Sequence, residues 1–139
     1  MGVITKSIRL ETNGETDLID ITSEVAQGVS ESDLSSGTVT IFVPGSTAGV
    51  TTIEYETGAI RDFRETIERI APRDIYYYHD ERWGDGNGYS HVRAALLGPS
   101  LSVPFASSRL LLGKWQQVIV VDFDNRPRSR EIILQIIGE

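Results

Sequence analysis

Trp115-Gln116-Gln117-Val118-Ile119-Val120-Val121-Asp122-Phe123 leads into the turn-forming Asp124-Asn125-Arg126-Pro127 and then into Glu131 to Ile137. Val118-Ile119-Val120-Val121 and Ile132-Ile133-Leu134 are apolar at consecutive positions, so in an extended chain with alternating side chains both faces are apolar. Such strands need cover on both sides, from helices or from another subunit. Working outward, Leu101 to Phe105 and Leu110 to Leu112 read as strands turned by Ser107-Ser108. Gly37 to Val43 is a β-branched run stopped by Pro44-Gly45, while Val50 to Tyr55, Leu18 to Ile21 and Val3 to Leu10 supply further strands. Helices are few. Ile60, Phe63, Ile67 and Ile70 recur at helical spacing over Ala59 to Ile70, which Pro72 ends. Thr22 or Ser23 caps a short helix over Glu24 to Val29, and Ser90 to Leu97 reads as a short helix or turn. Neighbouring strands with few helices predict an α+β fold with a largely antiparallel sheet.

The chain has 139 residues, 40% of them hydrophobic and 24% charged, as in soluble globular proteins. It reads as one domain over residues 1–139, long enough to bury roughly 70% of its unfolded surface without staples. Cysteine is absent, which excludes disulfides, thiolate nucleophiles and cysteine-ligated metal. The net charge is −7, and between Leu10 and Ile60 there are nine acids and no lysine or arginine. That balance speaks against nucleic acid, whose phosphates need a basic surface. The first residues carry no long apolar stretch and no run approaches a membrane span, so the expectation is a cytoplasmic protein that does not enter the membrane.

The chemistry-bearing stretch is His79-Asp80-Glu81-Arg82-Trp83-Gly84-Asp85-Gly86-Asn87-Gly88-Tyr89-Ser90-His91-Val92-Arg93. It holds both histidines of the chain, three carboxylates, two arginines and three glycines. Glycine allows close backbone approach, and successive amides in such a loop can form an anion nest. An EF-hand fails because Trp83 and Ala94 fall on the first and twelfth ligand positions. Neither Gly45-Ser46-Thr47-Ala48-Gly49 nor Gly84 to Gly88 ends as a P-loop does. No serine lies in a nucleophile elbow. A metal site is open to His79, His91 and Asp85, with Asp80 or Glu54 as further oxygen donors.

Gly45-Ser46-Thr47-Ala48-Gly49 follows a strand, and its hydroxyls and amides can either hold an oxyanion or form a plain turn. Alternation places Thr52, Glu54 and Glu56 on one face. Gln116 opens an apolar strand as a buried donor and acceptor, with Trp115 beside it as a wall. Arg126, Arg128 and Arg130 form a basic cluster at a turn, either an anion-recognition face or a solvated edge.

Taken together, these segments resemble the YjbQ-like family, also called secondary thiamine-phosphate synthases. The matching stretches are Phe42 to Glu54, Trp83 to Ala94, Leu97-Gly98-Pro99-Ser100, Leu112 to Gln117 and Asp122 to Arg128. The resemblance implies an α+β fold assembled as a homotrimer, with pockets between subunits where these motifs converge. It also implies a weak transferase activity, joining a pyrimidine-methyl diphosphate to a thiazole phosphate with loss of diphosphate. Many relatives have histidine where Gly45 and Tyr89 stand, whereas His91, Glu54 and Trp115-Gln116 are retained. A transition metal is therefore expected to bind more weakly here than in those relatives.

On this reading the catalytic candidates are His91, Glu54 and Asp85. Ser46, Thr47, Trp83, Gly86, Asn87, Gly88, Arg93, Trp115, Gln116 and Arg128 are candidates for holding a small phosphorylated metabolite. Loss of diphosphate needs charge neutralisation, with Mg²⁺ at Asp85 and cations from Arg93 and Arg128. Trp115 would stack on the pyrimidine. The alternative is a phosphate-, metabolite- or metal-binding protein whose synthase activity is incidental.

Overall fold

The computed structural model describes residues 1–139. In chain order the elements are β1 (Gly2–Thr12), β2 (Asp17–Asp20), α1 (Thr22–Glu31), β3 (Gly37–Phe42), β4 (Ala48–Ile53) and α2 (Thr57–Ile70). There follow α3 (Tyr78–Trp83), α4 (Gly88–Leu97), β5 (Ser100–Ala106), β6 (Arg109–Leu110), β7 (Gln117–Asp122) and β8 (Arg128–Gly138). The strands form two sheets, one of five strands in the order β1-β8-β3-β5-β6 and one of three in the order β2-β7-β4. Every pairing is antiparallel. The α+β class and antiparallel pairing follow the sequence; the division into two sheets does not.

The strand with two apolar faces, β7, runs through the centre of the three-stranded sheet. Its Val118 and Val120 join Val39, Ile41, Leu134 and Ile136 in the core between the sheets, which Val25 and Val29 of α1 close from the side. Its Ile119 and Val121, with Phe123, face the other way, against Ile67 of α2 and Ala94 of α4. Both faces are thus covered from within the chain, and no second subunit is needed for that purpose. The case of β8 differs. Ile132, Leu134 and Ile136 are fully buried, but Ile137 on the outer face is 41% exposed.

The β5–β6 hairpin turns at Ser107-Ser108, whose φ values of 51° and 60° are those of a two-residue turn matched to strand twist. Helix α2 begins two residues before the expected Ala59, because the Glu56 carboxylate accepts from the N–H groups of Gly58 (2.7 Å) and Ala59 (2.8 Å). Neither Thr22 nor Ser23 caps α1. Asp20 Oδ1 accepts from the Thr22 N–H, and the Thr22 hydroxyl instead accepts from the Val118 N–H at 2.8 Å, stitching α1 to β7. The strand expected from Trp115 starts only at Gln117. Helix α3 occupies residues expected to be loop. No helix is long and apolar enough to cross a membrane.

Candidate functional site

At one end of the three-stranded sheet, three segments meet: the β3–β4 connection, the turn between β7 and β8, and the α3–α4 hairpin. Asp122 and Asp124 lie beneath them, both fully buried. The Arg130 guanidinium donates from Nε to Asp122 Oδ2 (2.8 Å) and from Nη2 to Oδ1 (3.0 Å), a bidentate pair, while the Thr12 hydroxyl also donates to Oδ2 (2.7 Å). Asp124 Oδ2 accepts from the Thr47 hydroxyl (2.9 Å), Arg128 Nε (3.0 Å) and Asn87 Nδ2 (3.3 Å). Burial pushes the Asp124 carboxyl up, but the bonds from Thr47, Arg128 and Asn87 outweigh it and hold it below the ordinary carboxylate range. No buried side-chain polar atom is left without a partner.

Above this base stand the two histidines. The rings of His79 on α3 and His91 on α4 lie 4.2 Å apart between centroids. Burial, and then the neighbouring His79, push the His91 pKa below its ordinary value against the pull of Asp85, Asp124 and Asp80. His91 is therefore the neutral imidazole at pH 7, able to accept a proton or ligate a metal. His79 Nδ1 sits 3.4 Å from Asp80 Oδ1 and 3.6 Å from Asp85 Oδ1. Ligand atoms of His79, Asp80 and Asp85 all lie within 4.8 Å of one another. Two carboxylates fit Mg²⁺, and the added imidazole nitrogen fits a transition metal as well. A cleft of 220 Å³, lined by Gly45, Ser46, Ala48, His91, Ala94 and Pro99 among others, opens beside the pair.

Several expected binding residues are committed elsewhere. The glycine-rich loop wraps the protein's own carboxylates: Gly88 N–H donates to Asp80 Oδ1 (2.9 Å) and Asn87 N–H to Asp85 Oδ1 (3.1 Å). Gly88 cannot open toward a ligand, since a Cβ there would meet Tyr77 at 2.5 Å. The Asn87 side chain is buried in bonds to Asp124, and its Oδ1 accepts from the Asn125 N–H. The Thr47 hydroxyl is held between Arg130 and Asp124. Arg93 is buried away from the cleft, bonded to the Ala71 carbonyl, Thr16 Oγ1 and Glu68. Arg128 pairs with Asp124. Of the expected cations, Arg93 is thus a structural residue and Arg128 a partner of a buried acid.

Positions 45 and 89 also separate. Gly45 lines the cleft. Tyr89 is 1% exposed and turned away from it, its ring beneath Arg93 and its hydroxyl donating to Glu15 Oε2 at 2.9 Å. Burial and that bond push the phenol up to about 12. Glu54, Trp115 and Gln116 are at the other end of the sheet. Glu54 and Trp115 line a separate cleft, and Gln116 turns back to the Gly113 N–H. The six residues of β4, Ala48–Ile53, put about 20 Å between its two ends. Trp83 and Gly86 are exposed, on α3 and in the loop after it. Sequence reading missed the buried Asp122 and Asp124 as the base of the candidate site, although Asp122 ends a conspicuous strand and Asp124 opens the turn after it.

The antiparallel two-sheet α+β domain is a fold with known counterparts. A model of the UPF0047 protein YjbQ-like family matches residues 6–139. A UPF0047 protein of Archaeoglobus fulgidus is 35% identical over 94% of this chain and 98% of its own, and one of Methanothermobacter thermautotrophicus is 34% identical over 100% and 95%. The crystal structure of a YbjQ-like protein of unknown function from Sulfolobus solfataricus superimposes with a TM-score of 0.94, at 30% identity and 99% coverage of both chains. An uncharacterised conserved protein of the YjbQ/UPF0047 family from Clostridium acetobutylicum does so at 0.87, with 33% identity, covering 95% of this chain and 99% of its own. The chain belongs to the YjbQ/UPF0047 family.

Proposed function

We propose that the His91 cleft is the site of a transferase resembling secondary thiamine-phosphate synthases. The observation that carries this reading is the His91 ring packed 4.2 Å from that of His79, with Asp80 and Asp85 beside His79 and an open cleft next to His91. In the reaction, the bond between the pyrimidine methylene carbon and the diphosphate oxygen breaks. The thiazole nitrogen supplies the electron pair for the new carbon–nitrogen bond, and diphosphate leaves. Asp80, Asp85 and His79 would hold Mg²⁺, whose chemistry is neutralisation of leaving-group charge. His91 holds or takes up a proton at its ring nitrogen, and the exposed Trp83 offers a stacking face to the heterocycle.

The same reading makes the protein a homotrimer. Glu54 and Trp115 stand about 20 Å along the strand from His91, so a neighbouring copy would have to bring them to the cleft. Val92 and Leu96 on α4, 41% and 61% exposed, supply an apolar surface next to His91 on which such a copy would sit. The second reading, a metabolite- or metal-binding protein whose synthase activity is incidental, is favoured by one observation: Arg93 and Arg128 are engaged by acids, so neither is free to neutralise a leaving diphosphate.

The test supplies a pyrimidine-methyl diphosphate and a thiazole phosphate with Mg²⁺ and measures thiamine phosphate formed. Wild type is expected to turn over, and His91→Ala to lose that turnover while keeping its melting temperature. Absence of product in wild type, or full turnover in the variant, overturns the transferase reading.

A further inference from the structure

We infer that the wall of the His91 cleft is a built oxyanion site anchored by Arg130, and that its ligand is the phosphate or diphosphate group of a small metabolite. This deepens the reading above and rests on the same cleft, but it concerns a residue that reading leaves out. The Arg130 side chain is nine-tenths buried, at 10% exposure. Its Nε and Nη2 are used on Asp122, and Nη2 also reaches Thr47 Oγ1 at 2.6 Å. The third nitrogen, Nη1, has no acceptor in the protein. It faces Gly45, where a Cβ would lie only 2.8 Å from it.

Gly45 is therefore more than a turn residue. Its φ of +137° is a conformation that side chains rarely adopt, and its missing side chain leaves Nη1 uncovered on the Gly45 side. Around this donor the chain leaves others free. Neither Gly45 nor Ser46 gives its backbone N–H to a protein acceptor, and both residues are exposed. The Ser46 hydroxyl has no partner either, and the His91 imidazole stands in the same cleft. The amides of Gly45 and Ser46, the Ser46 hydroxyl and the His91 imidazole belong to residues lining the cleft, the Arg130 guanidinium N–H stands against Gly45, and no carboxylate lines the cleft. Donors arriving from several directions suit a tetrahedral oxyanion better than a planar carboxylate or a metal ion. Because Asp122 already balances the Arg130 charge, attraction comes from directed hydrogen bonds rather than from net charge. The fork held by Asp122 fixes Nη1 before the ligand arrives, which lowers the ordering cost of binding.

The experiment titrates inorganic phosphate, pyrophosphate and acetate into the protein in EDTA, following binding by calorimetry and the Gly45 amide by ¹H–¹⁵N NMR. Phosphate or pyrophosphate is expected to bind and to shift the Gly45 amide, with acetate weaker. Arg130→Lys, which keeps a charge but loses the fork, and Gly45→Ala, which sets a methyl against Nη1, should each weaken binding by about tenfold. No binding by wild type, a Gly45 amide that does not move, acetate binding as tightly as phosphate, or unchanged affinity in the folded variants overturns the proposal. If Arg130→Lys does not fold, the wild-type amide shift and Gly45→Ala decide the matter. Phosphate binding through Arg130 without thiamine phosphate formation keeps this site and removes the synthase reading. Turnover with phosphate affinity indifferent to Arg130→Lys does the reverse.

Discussion

Asp124 shows how single residues hold the site together. Its carboxylate is fully buried yet kept ionised by Thr47, Arg128 and Asn87, so its pKa in the folded protein lies below the 3.8 of the unfolded chain. A group depressed in this way stabilises the fold at pH above the unfolded value. That contribution fades as pH falls below about 3.8 and through the folded value, because there the unfolded chain binds the extra proton. Asp124→Asn should lower stability at pH 7 by about 1–3 kcal/mol, with a smaller loss in strong acid. Urea midpoints of both proteins at pH 7 and pH 3 measure this, and an equal loss at the two pH values would contradict it. Tyr89 makes a second case. Its phenol, pushed up to about 12, stays a donor to Glu15 across the working pH range. Tyr89→Phe removes one half-buried hydrogen bond, about 1 kcal/mol, and should lower the melting temperature by about 4 °C. An unchanged thermal midpoint would show that Glu15 is satisfied by Arg73 alone.

At the scale of elements, the helix starts carry the lesson. The Glu56 carboxyl is drawn down by the Gly58 and Ala59 N–H groups that it caps, and Glu56→Ala leaves both without a side-chain acceptor. Differential scanning calorimetry should find a lower melting temperature for Glu56→Ala and near wild-type behaviour for Glu56→Gln, which keeps an acceptor; equal loss in both would mean that charge alone matters. The body of α2 is legible because its apolar residues recur at helical period over about three turns. Helix α3 is not legible, since the six residues of Tyr78–Trp83 are too short for a period to show. Its helical form is fixed by its packing partner α4, whose first residue, Gly88, donates its N–H to Asp80. The α1 cap escapes the sequence for a related reason. Thr22 has the right chemistry for a cap, but β7 offers it an N–H that one strand's sequence cannot reveal.

For the whole molecule, the two-faced apolarity of Val118 to Val121 announces cover on both sides, and the fold supplies it from a five-stranded sheet and from α2 and α4. The clustering of both histidines in fifteen residues likewise anticipates that their rings meet on α3 and α4. What stays illegible is long-range pairing: Arg130 clamped on Asp122 and opening at Gly45, and Glu54 and Trp115 placed beyond reach of His91. That last separation gives the trimer its physical test. In a lone chain Leu96 is 61% exposed, so Leu96→Glu should neither unfold the protein nor alter a monomer. In the proposed trimer the same substitution places a carboxylate in an apolar contact beside the cleft, where an unpaired charge is strongly unfavourable. Light scattering at micromolar concentration should therefore give three times the 15.4 kDa chain mass for wild type and a smaller species for Leu96→Glu, with matching circular dichroism. A wild-type monomer, or a trimer indifferent to the charge at position 96, would place the Glu54–Trp115 end outside the His91 site and leave the cleft to be completed by its own chain.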